Sequence, residues 1–269
     1  MIKKNLPLII GLAMLSVFLL MAIAPSLFTD YDVKQDFDIW MPASSEHLLG
    51  TNALGYDVFT ELAYGARETL VIGLASSFAT LILGTFIGII CTSKGFIGAF
   101  FNSAINVFAL LPKLVTLIVL ATFLGHSRLN LIILIAAFSW VGIARAVRSK
   151  VIHIQAQPFI ESCIIQGYSK AHIALWHIIP NLQDVLLSRF LLGVNSCIMM
   201  ESSLSFLGFG DIYYPTWGTM INLASNNGAF VREAYAYLLI PGFCVTLLSL
   251  SFYFLSMYIE NKKEVISEG

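Results

Sequence analysis

The sequence predicts an all-α membrane protein that crosses the bilayer six times. Two observations lead to this prediction: the composition and a series of six long apolar runs. Of the 269 residues, 58% are hydrophobic and only 12% are charged, and the formal net charge is −1. A soluble domain carries about 25% charged residues, so this chain has too few to cover a surface in water. Nucleic-acid binding needs a strongly basic balance, so we expect membrane lipid and no nucleic acid around the chain.

The six apolar runs are each about as long as the ~20 residues that a helix needs to cross a bilayer. They cover residues 6–24, 70–90, 100–124, 129–147, 185–207 and 235–259. The first run is longer than the apolar stretch of about 7–15 residues in a signal peptide. We therefore expect it to be retained, although residues 22–24 (AIA) resemble a cleavage site. Pro112 interrupts the third run, and Gly73, Gly84 and Gly88 in the second predict close helix packing.

The segment between the first two spans is different in character. Residues 29–68 are polar and carry eight carboxylates against Lys34 and Arg67, so we expect an external segment there. This segment divides the chain into an N-terminal transmembrane helix at 1–28, a core of five spans at 69–260 and a charged tail at 261–269.

The distribution of Lys and Arg predicts the orientation of the six spans. Nine basic residues fall on the side of the termini: Lys3, Lys4, Lys94, Arg145, Arg148, Lys150, Lys170, Lys262 and Lys263. Only Lys34, Arg67, Arg128 and Arg232 fall on the other side. Positive charge collects on the cytoplasmic side of membrane proteins, so both termini should be cytoplasmic.

A polar gap at residues 158–181 separates the fourth and fifth spans, and we call it the elbow. Its pattern predicts two short helices that are joined at Gly167, where glycine tolerates a positive φ, and ended by Pro180. Ser169 is a reasonable cap for the second helix. Apolar stripes at 160, 163 and 164 and at 175, 176 and 179 give each helix one apolar face. Such an elbow fits a groove on a partner protein or a lipid surface with Trp176 as its anchor.

Three stretches of the chain, in order, carry specific motifs. They are HLLGTNALGYD (47–57) with YGAR (64–67), ESC…G…IIP (161–180), and ESSLSFLGFG (201–210) with PTWG (215–218). These are similar to the patterns H-x-x-G-T-D-x-L-G-R-D…Y-G-A-R, E-A-A…G…I-x-L-P and E-A-S-L-S-F-L-G-L-G…W-G. All three patterns are typical of permease subunits of binding-protein-dependent ABC importers. The chain resembles the "C" subunits of the dipeptide, oligopeptide and nickel group.

Several positions depart from these patterns, of which Phe209 is a conservative replacement of Leu. Ser162 and Cys163 replace two alanines, and both are small enough to keep close packing against a partner. Asn52 and Tyr56 stand where the pattern has Asp and Arg. We therefore expect no external salt bridge that depends on those two charges.

The resemblance implies the type I ABC importer permease fold with a cytoplasmic coupling loop at 148–183. In such a permease the elbow sits in a cleft of a cytoplasmic ATPase. The residues that match the coupling motif are Glu161, Ser162, Cys163, Gly167, Ile178 and Pro180. The implied partners are a second homologous permease, two ATPase subunits and an external solute-binding protein, in a bacterial inner membrane. The implied solutes are dipeptides, oligopeptides, or nickel and other metal chelates.

The chain itself has no features of an enzyme. It lacks the G-x-x-x-x-G-K-[ST] phosphate loop, so we expect ATP-Mg to bind to the partner ATPases and no cofactor to bind here. The five His and four Cys residues show no spacing typical of a metal or catalytic site. The rival to an importer is a stand-alone secondary transporter or channel. Such proteins often contain internal repeats, and none is visible here.

Two charged residues fall inside apolar runs, Lys113 and Glu201. A charge at the centre of a membrane helix costs about 2.5–3.5 kcal/mol on insertion scales, so each should face a polar cavity or a partner. We expect Lys113, Glu201 or both to line the translocation path; the alternative is a structural ion pair. A third charge, Arg189, lies near the start of the fifth span, where its side chain could extend to the cytoplasmic headgroups.

Overall fold

The chain folds as a helical bundle, seen in a computed structural model. The structure describes the backbone of residues 2–211 and 213–267 and the side chains of 5–211 and 213–260. The α-helices are α1 (Ile2–Ile23), α2 (Val58–Ile90), α3 (Phe96–Leu110), α4 (Lys113–Leu124), α5 (Arg128–Gln155), α6 (Pro158–Ile165), α7 (Lys170–Ile173), α8 (Gln183–Leu204), α9 (Trp217–Asn226) and α10 (Tyr235–Ser267). Within these residues the only strand-like pairing is an isolated bridge between Thr51 and Asp57. The predicted all-α class is confirmed.

Six membrane spans are compatible with the lengths and hydropathy of these helices. Five segments are long and apolar enough to cross a bilayer alone: Asn5–Ile23, Val58–Ile90, Arg128–Gln155, Pro180–Phe209 and Tyr235–Glu260. The pair α3 and α4 passes the same test together, bent by 92°. Counted as one span, this pair brings the total to the six that the apolar runs predict.

The bend between α3 and α4 lies at the predicted break. Pro112 has no backbone N–H, and its ring pushes the preceding residue out of the helical region. Leu111 accordingly has an extended backbone, with φ −71° and ψ 131°. Lys113 then begins α4. The proline therefore divides the third span into two helices and places a lysine at the division.

Helix α2 begins twelve residues before the predicted start at residue 70. Asp57 caps it, because one carboxylate oxygen accepts a hydrogen bond from the backbone N–H of Thr60 at 2.7 Å. The first three turns carry Glu61, Arg67 and Glu68. Because these charges lower the local hydropathy, the predicted apolar run begins only after them. The predicted external segment at 29–68 therefore includes the first turns of α2.

Helix α9 lies outside the six predicted apolar runs, between the fifth, which ends at residue 207, and the sixth, which begins at residue 235. Thr216 and Thr219 form a capping box at its start, in which each side chain bonds the other's backbone. Trp217 is fully buried and donates its indole N–H to the carbonyl oxygen of Leu62 at 2.8 Å. The helix is therefore part of the core and fixes the first turns of α2.

The bundle is built around α2, which packs on α5 and α8, while α10 packs on α1, α8 and α9. Close approach depends on small residues, as predicted. A Cβ placed on Gly84 would lie 2.7 Å from the Cβ of Ile143, closer than real side chains pack. On the other side of the bundle Phe18 of α1 is buried against the Trp217 ring, with ring centroids 5.3 Å apart. The first helix is thus packed into the core.

The prediction that both termini are cytoplasmic depends partly on basic residues whose side chains the structure does not describe. The side chains of Lys3, Lys4, Lys262 and Lys263 lie outside the described residues, as do Met1, Ile212 and residues 268–269. The tail predicted at 261–269 continues α10 as backbone up to Ser267.

Candidate functional site

The bend of the elbow is fixed by backbone geometry at Gly167. Helix α6 ends at Ile165, and Gly167 follows with φ +82°. The N–H of Gly167 donates to the carbonyl of Ile164 at 3.0 Å, and that of Tyr168 to the carbonyl of Cys163 at 3.1 Å. This pair of bonds is the Schellman motif that commonly ends helices at glycine. The predicted turn at Gly167 is confirmed.

The second half of the elbow begins as predicted and ends differently. The hydroxyl of Ser169 accepts a hydrogen bond from the N–H of His172 at 3.2 Å and caps α7. A π-helical turn at Ala174–Ile178 follows. Pro180 does not end the helix, because it begins a 3-10 turn, and Ile179 and Gln183 on either side have helical backbone angles. Proline is tolerated in a first helical turn, where an N–H is unpaired anyway.

This correction has a mechanical consequence. Helical backbone runs from α7 through the π turn and the 3-10 turn into α8 without an extended residue. The whole stretch Pro180–Phe209 is one candidate membrane span. The elbow is therefore joined to the fifth span by helical backbone rather than by a flexible loop.

One side of the elbow is buried against the bundle. Ile160 and Cys163 of α6 are 3% and 7% exposed, and Ile173 and Ile178 are 7% and 3% exposed. They share an apolar cluster with residues of α5 and the 3-10 turn, namely Ile143, Val147, Val151, Ile154 and Leu182. The predicted stripes are corrected here: Ile164, Leu175 and Trp176 do not belong to this buried face.

Four large apolar side chains of the elbow instead point away from the bundle. Their exposed fractions are 61% for Ile164, 80% for Ile165, 60% for Leu175 and 69% for Trp176. We call these four residues the elbow tip. The elbow therefore has two apolar sides, one packed on α5 and one without a partner in the described residues.

The six predicted coupling residues all lie in this elbow. Glu161, Ser162, Gly167 and Pro180 are exposed, whereas Cys163 and Ile178 are buried. The hydroxyl of Ser162 donates to the carbonyl of Pro158 at 3.2 Å, within its own helix. The geometry thus divides the motif into two buried positions and four accessible ones. Its role in coupling stays a prediction.

Lys113 and Glu201 are in different surroundings. Lys113 lines a cavity of about 170 Å³ between α2, α5 and α8. Glu201 is fully buried, and its two carboxylate oxygens accept hydrogen bonds from Ser205 at 2.7 Å and Ser202 at 3.2 Å. The structure does not bring the two residues together as an ion pair. Arg189, which the sequence places near the headgroups, lines the same cavity as Lys113.

The motif at 47–57 forms a buried polar network with the first turn of α2. Nδ1 of His47 lies 2.9 Å from a carboxylate oxygen of Asp57. The side-chain amide of Asn52 donates to Glu61 at 2.8 Å and accepts from the N–H groups of Leu54 and Tyr56. Asn52 therefore meets Glu61 through a neutral donor. We call His47, Asn52, Asp57 and Glu61 the polar network.

Comparison with known proteins identifies the family to which this chain belongs. A family model described as "Binding-protein-dependent transport system inner membrane component" matches residues 84–265. The chain belongs to this family. It is a permease component of ABC importers and a multi-pass membrane protein.

Individual relatives agree with this assignment. The chain is 32% identical over 255 residues to the dipeptide transport system permease protein DppC of Alkalihalophilus pseudofirmus, covering 93% of this chain and 83% of that protein. It is 32% identical over 214 residues to the oligopeptide transport system permease protein OppC of Haemophilus influenzae, covering 77% and 67%. An inward-facing structure of the MetNI methionine ABC transporter superposes with a TM-score of 0.57 at 17% identity, over 74% of this chain and 96% of that one. The last comparison supports the predicted fold of type I importer permeases.

Proposed function

We propose that the chain is one of two permease subunits in an ATP-driven importer of dipeptides or oligopeptides. The observation that carries the proposal is the 32% identity to a dipeptide permease over 93% of the chain. The relatives reported above are named for peptides, which favours peptides over nickel or other metal chelates. Membership of a binding-protein-dependent family likewise favours an importer over a stand-alone transporter or channel.

The remaining subunits of this importer supply what the chain lacks. They are a second homologous permease, two ATPase subunits that bind ATP-Mg, and an external solute-binding protein. This permease performs no reaction itself and binds no cofactor. Both termini and the elbow face the cytoplasm, as the distribution of Lys and Arg indicates.

The elbow couples ATP binding to transport. Its exposed tip supplies an apolar face for a cleft in an ATPase subunit, with Glu161 at the edge of the contact. Its buried side rests on α5, and its backbone continues into α8. A displacement of the elbow by the closing ATPases therefore moves two spans together. ATP state and the orientation of the pathway are two linked equilibria, and the elbow carries the coupling free energy between them.

Of the two charges within spans, Lys113 lines the translocation path and Glu201 has a structural role. Lys113 borders a cavity, whereas the carboxylate of Glu201 is satisfied by two serines. Replacement of Glu201 by Gln keeps one acceptor oxygen for Ser205 and offers Ser202 an N–H donor that its hydroxyl can accept, so uptake should stay within about twofold of wild type. Replacement of Lys113 by Met should lower uptake.

The proposed function is tested by uptake of labelled dialanine into proteoliposomes that contain the complete importer and its binding protein. We expect uptake to require ATP inside the lumen that corresponds to the cytoplasm. Full uptake without ATP would overturn the proposal in favour of a stand-alone transporter. Uptake of nickel but of no peptide would support the importer function but contradict the assignment of peptides as its solute.

A further inference from the structure

Two basic side chains from different helices, the half-buried Lys113 and the exposed Arg189, line one open cavity between α2, α4, α5 and α8. Lys113 begins α4, and Arg189 lies on α8. The other polar residues that line the cavity are Thr80 of α2, Ser139 of α5 and Ser196 of α8. Thr80 lies ten residues before the end of α2, and Ser139 lies eleven residues after the start of α5. At about 1.5 Å per residue these positions are about 15 Å from the helix ends, near the centre of a ~30 Å bilayer core.

No acidic side chain of the described residues neutralises this pair. The ion pairs among these residues are His47 with Asp57 and Arg128 with Glu68. Helices α4 and α5 contain no Asp or Glu. The other carboxylates on the packed helices are Glu61 near the start of α2, Asp184 in the first turn of α8, and two that accept hydrogen bonds from serines. Glu201 accepts from Ser202 and Ser205, and Glu260 of α10 accepts from Ser188 at 2.7 Å without forming an ion pair with Arg189.

The remaining wall of the cavity is polar and uncharged. The hydroxyl of Thr80 donates to the carbonyl of Ser76 at 2.7 Å, and that of Ser139 to the carbonyl of Ile135 at 2.6 Å. Hydroxyls carry no formal charge, so these side chains do not neutralise the two cations. Lys113 also stands at the N-terminus of α4, where unpaired N–H groups add further positive potential. The cavity thus combines two cations and a helix N-terminus in a region where uncompensated charge is costly.

A carboxylate is the ligand that this arrangement fits. A guanidinium binds a carboxylate through two parallel N–H bonds, and an ammonium adds a compact charge beside it. The volume of about 170 Å³ is a few times the ~30 Å³ that a water molecule occupies in the liquid. It therefore has room for a carboxylate group and a few waters.

We propose that Lys113 and Arg189 bind the C-terminal carboxylate of the transported peptide half-way across the membrane. The proposal rests on the proposed peptide import and names the group of the solute that this permease recognises. Recognition here is separate from recognition by the solute-binding protein. It keeps the importer selective for solutes with a free carboxylate after the binding protein has released them.

The test measures binding to the purified importer complex without its binding protein. Radiolabelled trialanine is bound at equilibrium and displaced by unlabelled trialanine or by trialanine amide, which lacks the negative charge. In the wild-type complex the free acid should compete about tenfold better than the amide, which corresponds to about 1.4 kcal/mol. Lys113→Met and Arg189→Met should each reduce this preference to about twofold or less. Lys113→Arg, which keeps the charge, should restore it.

The matched control is Lys94→Met, which removes a lysine from the exposed turn between α2 and α3. It should leave the tenfold preference unchanged. An equal affinity for acid and amide in the wild type, or an unchanged preference in the Lys113→Met and Arg189→Met double variant, would overturn the site. Displacement by phosphatidylglycerol but not by trialanine would also overturn it, since a lipid phosphate would then be the ligand. ATP-dependent uptake that persists in these cases would leave the proposed function intact.

Discussion

The polar network and the elbow both carry motifs of the family, and they differ in where their side chains find partners. The network is satisfied within the chain: His47 meets Asp57, Asn52 meets Glu61, and all four residues are at most 4% exposed. The elbow tip has four large apolar residues with 60–80% of their surface exposed. A motif whose groups are mutually satisfied stabilises its own fold. The apolar surface that the elbow tip leaves uncovered is the surface that the proposed ATPase contact would cover.

The largest effect on stability should come from breaking the polar network at Asp57. In Asp57→Ala the lost helix cap costs about 1 kcal/mol. The buried His47 imidazole, left without its partner, costs about 1–3 kcal/mol more. Chemical unfolding in mixed micelles, followed by tryptophan fluorescence, measures the change. Asp57→Asn keeps an acceptor at this position and should recover most of the loss. A stability of Asp57→Ala within about 0.5 kcal/mol of wild type would show that the network is not structural.

A smaller loss is expected when the neutral donor of the network becomes a carboxylate. Asn52→Asp keeps the acceptor for Leu54 and Tyr56 but removes the donor to Glu61. It should cost about 1–3 kcal/mol, because a buried acceptor loses its partner. Adding Glu61→Gln supplies an amide donor from the other side and should restore stability in a double-mutant cycle. Simple additivity of the two losses would contradict the hydrogen bond.

The sequence predicted the spans and the position of the elbow, but it did not predict which side chains contact each other inside the polar network or the elbow. Apolar runs and Pro112 were sufficient for six crossings and one sharp bend, because both signals are local. The start of α2 was missed because hydropathy counts Glu61 as a charge and cannot show that Asn52 pairs with it. That Arg189 lines a cavity together with Lys113 could not be predicted for a similar reason. Its distance along α8 was known, but the direction in which it faces depends on how α8 packs.

In the elbow the sequence located the turn and misassigned the apolar faces. Gly167 and Ser169 act through their own backbone neighbourhood, so their roles could be inferred directly. Ile164 and Trp176 are as hydrophobic as Ile160 and Ile178, and spacing alone does not show which of them meets α5. Pro180 was taken as a stop because proline often ends helices, whereas here it occupies a first turn. Only the path of the chain into α8 distinguishes the two cases.

A local effect is expected at the turn of the elbow. In Gly167→Ala the φ of +82° should cost about 1–2 kcal/mol, since residues with a Cβ disfavour the left-handed region. A Cβ there meets no atom within 4 Å, so strain is the only cost. Hydrogen–deuterium exchange of the amides in residues 166–169 should become roughly tenfold faster. Gly167→Asn should exchange almost as slowly as wild type, because Asn adopts this conformation more readily. Equal exchange in the Ala and Asn variants would contradict this account of the turn.

The smallest effect on stability is expected at the elbow tip, where the effect on coupling is large. Trp176→Ala and Glu161→Lys alter exposed positions and should change the free energy of unfolding by no more than about 0.5 kcal/mol. A tryptophan at the centre of a protein contact contributes at least about 2 kcal/mol, so binding of the ATPase should weaken roughly thirtyfold. This separation of stability from coupling is what distinguishes the elbow from the polar network.

The most direct test of that distinction is the number of peptides imported per ATP hydrolysed in proteoliposomes of the complete importer. Phe123→Ala is the matched control, because Phe123 is an aromatic residue of α4 that is 83% exposed and lies outside the elbow. We predict that Trp176→Ala lowers peptides imported per ATP at least tenfold, with the six spans still inserted, while Phe123→Ala stays near wild type. If Trp176→Ala imports as many peptides per ATP as Phe123→Ala, the elbow tip rests on lipid and does not couple the ATPases to transport.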